Sequence, residues 1–88
     1  MTPELELLDQ CVDSPLRVQF VASLFPNWPS FENALRAMAA DGQIELHSQD
    51  GEGLPLWQLD EWIRDSRFAE AAGEYVVVVT ERGLEIME

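Results

Sequence analysis

Proline and glycine cut this chain into short pieces. Prolines stand at positions 3, 15, 26, 29 and 55, and glycines at 42, 51, 53, 73 and 83. Proline lacks the amide donor that a helix interior requires, and glycine loses the most freedom on ordering, so both mark ends. The longest uninterrupted stretch, residues 56–72, sets the ceiling for any helix. The chain must therefore build its core from several short elements packed on one another.

The punctuation also fixes where those elements begin. Thr2-Pro3 is a helix start, threonine as the cap and proline at the first helical position. Leu5, Leu8 and Val12 follow at helical spacing, with Leu7 and Cys11 beside them. Ser14-Pro15 repeats the signal and predicts a second helix with the stripe Leu16, Phe20 and Leu24, stopped by Pro26. Trp28-Pro29-Ser30 opens a third, capped by Ser30, with Phe31, Ala34, Leu35 and Met38 inward and Asp41-Gly42 at its end. Gln43 to His47 alternates, Ile44 and Leu46 pointing one way, as a half-buried strand does. Ser48 to Pro55 is a loop. Leu56, Leu59 and Ile63, with Trp62 and Phe68, predict a fourth helix running to about Ala72, broken by Gly73. Glu74 to Val79 is a second strand, nearly all valine. Thr80 caps a short last helix, Glu81 to Met87, interrupted at Gly83.

Size and charge narrow the class further. Eighty-eight residues make a single domain, 1–88, and so small a chain hides only about 60% of its unfolded surface, which leaves a thin core. Seventeen acidic residues face five basic ones, all arginine, for a net charge of -12. Such a field repels nucleic acid and anionic lipid, and it favours a basic partner. Cys11 is the lone cysteine, so no internal disulfide forms and a reducing compartment fits. The opening residues lack the basic region of a secretory signal, and no apolar run approaches the roughly 18 residues of a membrane span. The expectation is a cytoplasmic protein with no membrane contact.

Three helices, a strand, a long excursion and a second strand follow one another. Two stretches carry a resemblance: Phe31-Glu32-Asn33-Ala34-Leu35-Arg36-Ala37-Met38-Ala39-Ala40-Asp41-Gly42-Gln43-Ile44-Glu45-Leu46, and Val78-Val79-Thr80-Glu81-Arg82-Gly83-Leu84-Glu85-Ile86. Together they resemble the winged helix-turn-helix of bacterial regulators: a recognition helix running into the first wing strand, then a second wing strand with its threonine-glutamate-x-glycine turn. The resemblance implies an α+β, winged-helix-like fold with three N-terminal helices and a small antiparallel sheet of two or three strands. Ser48 to Gly73 departs from it. That segment is about 26 residues long and holds an extra helix between the wing strands, where hairpin loops are ~2–5 residues.

The resemblance further implies DNA binding through the third helix, Ser30 to Asp41. On its outer face Asn33 and Arg36 are the base readers available, by bidentate bonds to adenine and guanine, and Arg17 would have to join them. Charge argues the other way. Duplex binders make roughly 6–10 phosphate contacts, and this chain has five cations in all, on four elements. A small DNA-binding regulator is therefore the alternative to a non-enzymatic module that binds a protein or a second copy of itself. For that module Trp57, Arg64 and Arg67 are the candidate contacts. Trp57 and Trp62 are five positions apart, about 500° of helical rotation, so they cannot share one face. Trp62 is assigned to the core with Leu59 and Ile63, and Trp57 is either a loop cover or an exposed anchor. Arg64 and Arg67 lie near Asp60, Glu61 and Asp65, with Glu61 and Arg64 spaced to pair.

Catalytic and metal chemistry find no foothold. No serine sits in a nucleophile arrangement, and Asp60 and Glu61 diverge on their helix. Gly51-Glu52-Gly53 lacks the lysine of a phosphate loop. His47 is the sole histidine, assigned to a polar strand face, and Cys11 reads as a small core hydrophobe. No catalytic residue, metal or cofactor is expected.

Overall fold

The computed structural model describes residues 2–87; Met1 and Glu88 lie outside the described residues. The valine run becomes β3 (Tyr75–Val79), the middle strand of a three-stranded antiparallel sheet of order β1-β3-β2. Branched Cβ atoms suit valine to an extended, pleated chain. β2 (Ile44–Ser48) pairs on one side, Leu46 opposite Val77, and β1 (Leu16–Arg17) on the other, Leu16 opposite Val77. That rung faces the core. The next one, Arg17, Val76 and His47, faces away from it.

The helices are α1 (Pro3–Cys11), α2 (Val18–Ala22), α3 (Trp28–Ala40), α4 (Leu56–Arg64), α5 (Phe68–Ala71) and α6 (Glu81–Met87), with a 3₁₀ turn at Ala72–Glu74. The fold is α+β. The core joins Leu7 and Leu8 of α1, Val18 and Val21 of α2, and Phe31, Leu35 and Met38 of α3. Ile44, Leu46 and Val77 of the sheet close it, together with Leu59 and Phe68. Phe25, Trp28, Phe31 and Phe68 form an aromatic knot, with Phe31 5.4 Å from Phe25 and 5.2 Å from Trp28 between ring centres. No described helix is long and apolar enough to cross a membrane.

Several expectations need correction. The second helix does not start at Pro15. Leu16 and Arg17 instead give β3 a partner on its other edge, and the helix that remains buries Val18 and Val21 while Phe20 is 54% exposed. In α1 the inward face is Leu7, Leu8 and Cys11, leaving Leu5 and Val12 outside. The cap of α3 is Asn27, whose Oδ1 accepts from the Ser30 amide at 2.9 Å. Trp28 and Pro29 thereby fall in the first turn, where proline is tolerated, and Trp28 reaches Phe31 and Phe68.

The fourth helix stops at Arg64 rather than near Ala72. Leu59 and Phe68, both buried, are nine residues apart, about 900° of helical turn, and would point in opposite directions along one helix. A left-handed Ser66 (φ 58°) breaks the run and turns Phe68 inward. α6, by contrast, runs uninterrupted through Gly83. The glycine is buried there because the helix lies against Gln43, Val79 and Leu8 with no room for a side chain.

Candidate functional site

α3 ends as its sequence indicates. Gly42 is left-handed (φ 81°), its amide reaching Ala39 and that of Gln43 reaching Met38, so the last carbonyls are satisfied. This end is clasped by the start of α6. The Thr80 amide donates to the Gln43 carbonyl (3.0 Å), its hydroxyl donates to the Gly42 carbonyl, and Arg82 holds both the carbonyl and the carboxylate of Asp41. Gln43 first, and Arg82 second, hold the Asp41 carboxyl below its ordinary range.

From β2 the chain turns tightly through Gly51 (φ 87°) and folds back, Gly53 bridging to His47 and the Leu54 amide donating to Leu46. Pro55 then starts α4, which lies along the outer side of α3. The two helices are tied by one carboxylate. Asp60 accepts from Arg36 at 3.1 Å through Oδ1 and from Arg64 at 3.0 Å through Oδ2. The Arg36 hydrogen bond is the larger cause, and that of Arg64 the second, of an Asp60 carboxyl held below its usual range.

Beside this bridge Ala37, Ala40, Leu56 and Trp57 line an open groove of about 510 Å³, with Arg36 and Asp60 at its rim. Alanines on α3 leave the space, and Trp57, 67% exposed, stands over it. Leu56, also exposed, separates it from a smaller hollow of about 320 Å³ between β2, residues 53–55 and α4. His47 and Glu45 pair at the edge of that hollow, Nε2 to Oε2 3.0 Å.

The structure disperses the residues considered for DNA. Asn33 and Arg36 both lie on the exposed side of α3, but Arg36 is committed to Asp60. Arg17 sits on the edge strand β1, on the sheet face that carries His47. Of the candidate protein contacts, Trp57 lines the groove and Arg64 adjoins it through Asp60, in place of the Glu61 pairing. Arg67 is exposed at the lead-in to α5, its carbonyl accepting from Glu70 and Ala71. Trp62 packs edge-on against Tyr75 at 5.9 Å, on the core side of α4. Sequence reasoning missed Ala37, Ala40 and Leu56 as groove residues. The signal was present: two alanines at i and i+3 on the outer face of a helix leave room for something to approach.

Other reactive groups are quiet. Burial pushes the Cys11 thiol above its ordinary value, outweighing its hydrogen bond to the Leu16 backbone, which leaves little thiolate to react. Among the described residues no three His, Cys, Asp or Glu side chains gather as metal ligands.

The Asp60 bridge has a defined pH signature. A carboxyl whose pKa is depressed by folding contributes stability above its unfolded pKa, about 3.9, and loses it as pH falls through the folded value. Asp60→Asn should therefore lower the urea midpoint relative to wild type at pH 7, and the gap should start to narrow below about pH 4 and vanish once pH is below the folded value. A gap that is constant from pH 7 to strongly acidic solution would rule out the ionised bridge as its source.

Comparison with protein-family models, curated proteins and solved structures gives no match for this chain.

Proposed function

We propose that this chain is a non-enzymatic binding module, winged-helix-like in its order of elements, whose α3–α4 groove receives a protein partner, a basic one being favoured by the net charge of the chain as a whole. The observation that carries this reading is Trp57. Tryptophan buries more apolar area than any other side chain, and leaving it two-thirds exposed over an apolar groove sacrifices that burial in the isolated chain. Exposed apolar patches with an aromatic anchor and a polar rim are the usual form of a protein-binding surface. Here the rim is the Arg36–Asp60–Arg64 bridge, which is already satisfied and so orders the groove before a partner arrives.

The DNA alternative draws little support from the same geometry. α4 lies along the side of α3 that would face a major groove, Arg36 is engaged by Asp60, and the net charge of -12 opposes a polyanion. A second copy is an equally charged object, so self-association works against the same repulsion. A basic protein does not.

The test compares immobilised wild type with Trp57→Ala. The variant is expected to keep its circular dichroism and melting temperature, because little burial is lost. A protein held by the wild type should bind the variant about 30-fold more weakly, the effect of losing an anchor worth ~2 kcal/mol. Equal retention by both would end the reading. So would a labelled random-sequence duplex that binds at low salt and is released as salt rises, which would return the function to DNA.

A further inference from the structure

α1 and α6 form a second face with a different chemistry. They pack side by side, Leu8 lying against the spot where Gly83 lacks a side chain. Next to that contact Leu5, Ile86 and Met87 line a trough of about 220 Å³ in which Asp9 is the single polar residue. Leu5 and Ile86 are exposed, and Val12, one helical turn beyond Asp9, extends the apolar strip. These two helices and Asp13 carry Glu4, Glu6, Asp9, Asp13, Glu81 and Glu85 against one base, Arg82, whose guanidinium is bound to Asp41. The trough is thus apolar with one carboxylate in it, and the two helices that form it, with Asp13, carry six acidic residues against one arginine among the described residues.

We propose that the α1–α6 trough docks a lysine- or arginine-rich amphipathic helix of a partner protein. A trough between two helices accepts a third by the interlocking of side-chain ridges. An apolar residue of the partner enters between Leu5 and Ile86, and a cationic one meets Asp9. Charge selects this occupant. A second copy would set carboxylates against carboxylates, and an anionic bilayer would be repelled, whereas a basic helix gains both burial and attraction. The site is independent of the α3–α4 groove and of the function assigned there.

The experiment uses a fluorescein-labelled leucine/lysine amphipathic peptide of about 14 residues, near the shortest length at which a helix persists. A glycine/lysine peptide of equal charge is the control. Fluorescence anisotropy should show the amphipathic peptide binding about 10-fold tighter than the control. Leu5→Ser and Ile86→Ser should each weaken it about 10-fold. Asp9→Asn should reduce the dependence of binding on salt between about 50 and 200 mM, and Trp57→Ala should change nothing. Leu5 and Ile86 are 38% and 40% exposed, circular dichroism checks that each variant is folded, and amide shift mapping on the wild type gives a second readout centred on Leu5, Asp9 and Ile86. Equal binding of the two peptides would show attraction by net charge alone and overturn the proposal. Wild-type affinity in the Leu5 and Ile86 variants would do the same. Loss of binding in Trp57→Ala, or shifts confined to α3 and α4, would move the peptide to the other groove and also overturn it.

Discussion

Phe31→Ala is expected to lower the unfolding free energy by about 3–5 kcal/mol, the range for a phenylalanine removed from a core that cannot collapse around the gap. Phe31 is fully buried, and its neighbours are held by different parts of the chain: Phe25 from the turn after α2, Trp28 from the first turn of α3, and Phe68 from α5. None of these can move into the vacated volume without giving up its own packing. A domain of this size has only about 5–10 kcal/mol in total. Each kcal/mol moves the melting temperature by about 4–8 °C, so a fall of at least about 12 °C is expected by calorimetry. Phe20→Ala, on the exposed side of α2, is the control and should stay within about 0.5 kcal/mol of wild type. A loss below about 1 kcal/mol for Phe31→Ala would mean that the aromatic knot is not closely packed.

Gly83→Ala poses a question of sign. Within a solvent-exposed helix, alanine in place of glycine stabilises by about 1 kcal/mol. In α6 the new methyl would be driven into the Gln43 carbonyl oxygen, with Val79 Cγ1 at 2.8 Å and Leu8 Cδ2 at 3.2 Å. The Gln43 carbonyl cannot easily retreat, because it also accepts the Thr80 amide that starts the helix. Overpacking of this kind costs about 1–3 kcal/mol, and contact with backbone puts it at the upper end. The clash therefore outweighs the helix preference, for a net loss of about 1–2 kcal/mol and a lower urea midpoint. A variant more stable than wild type would place α6 farther from β2 and β3 than described.

Local chemistry made some elements legible and left others hidden. Gly42 announces the end of α3, and the valine run announces β3, since each depends on the backbone preferences of residues close in sequence. β1 was not readable in this way. Leu16-Arg17-Val18 becomes strand and then helix because β3, sixty residues later, offers it hydrogen bonds. Sequence alone does not separate Asn27 from Ser30 as the cap of α3, because Pro29 is as acceptable in the first turn as before it. The break at Ser66 was deducible. Leu59 and Phe68 cannot both be inward on one continuous helix, and a count of angles along residues 56–72 exposes the conflict.

The candidate groove was half legible. Trp57 stands out by residue type alone, but whether it covers a loop or stays exposed depends on where α4 lies. That position is set by Leu59 entering the core, with Trp62 and Ile63 packed beside it, and Asp60 then reaches Arg36, twenty-four residues earlier. Glu61 was an equally spaced partner for Arg64 by sequence, and the geometry of α3 decides in favour of Asp60, which then serves both arginines.

The central position of β3 bears on how the protein is made. Its two neighbours come from residues 16–17 and 44–48, and both wait for residues 75–79. On the ribosome neither outer strand can pair within the sheet until residues 75–79 have been synthesised, so the sheet cannot assemble in the order of translation. The helices preceding β2 must hold the early strand segments apart from one another, and from other nascent chains, until the middle strand arrives. The dense negative charge of the chain serves that interval as well: unfinished copies on neighbouring ribosomes repel one another while their strand edges are still bare.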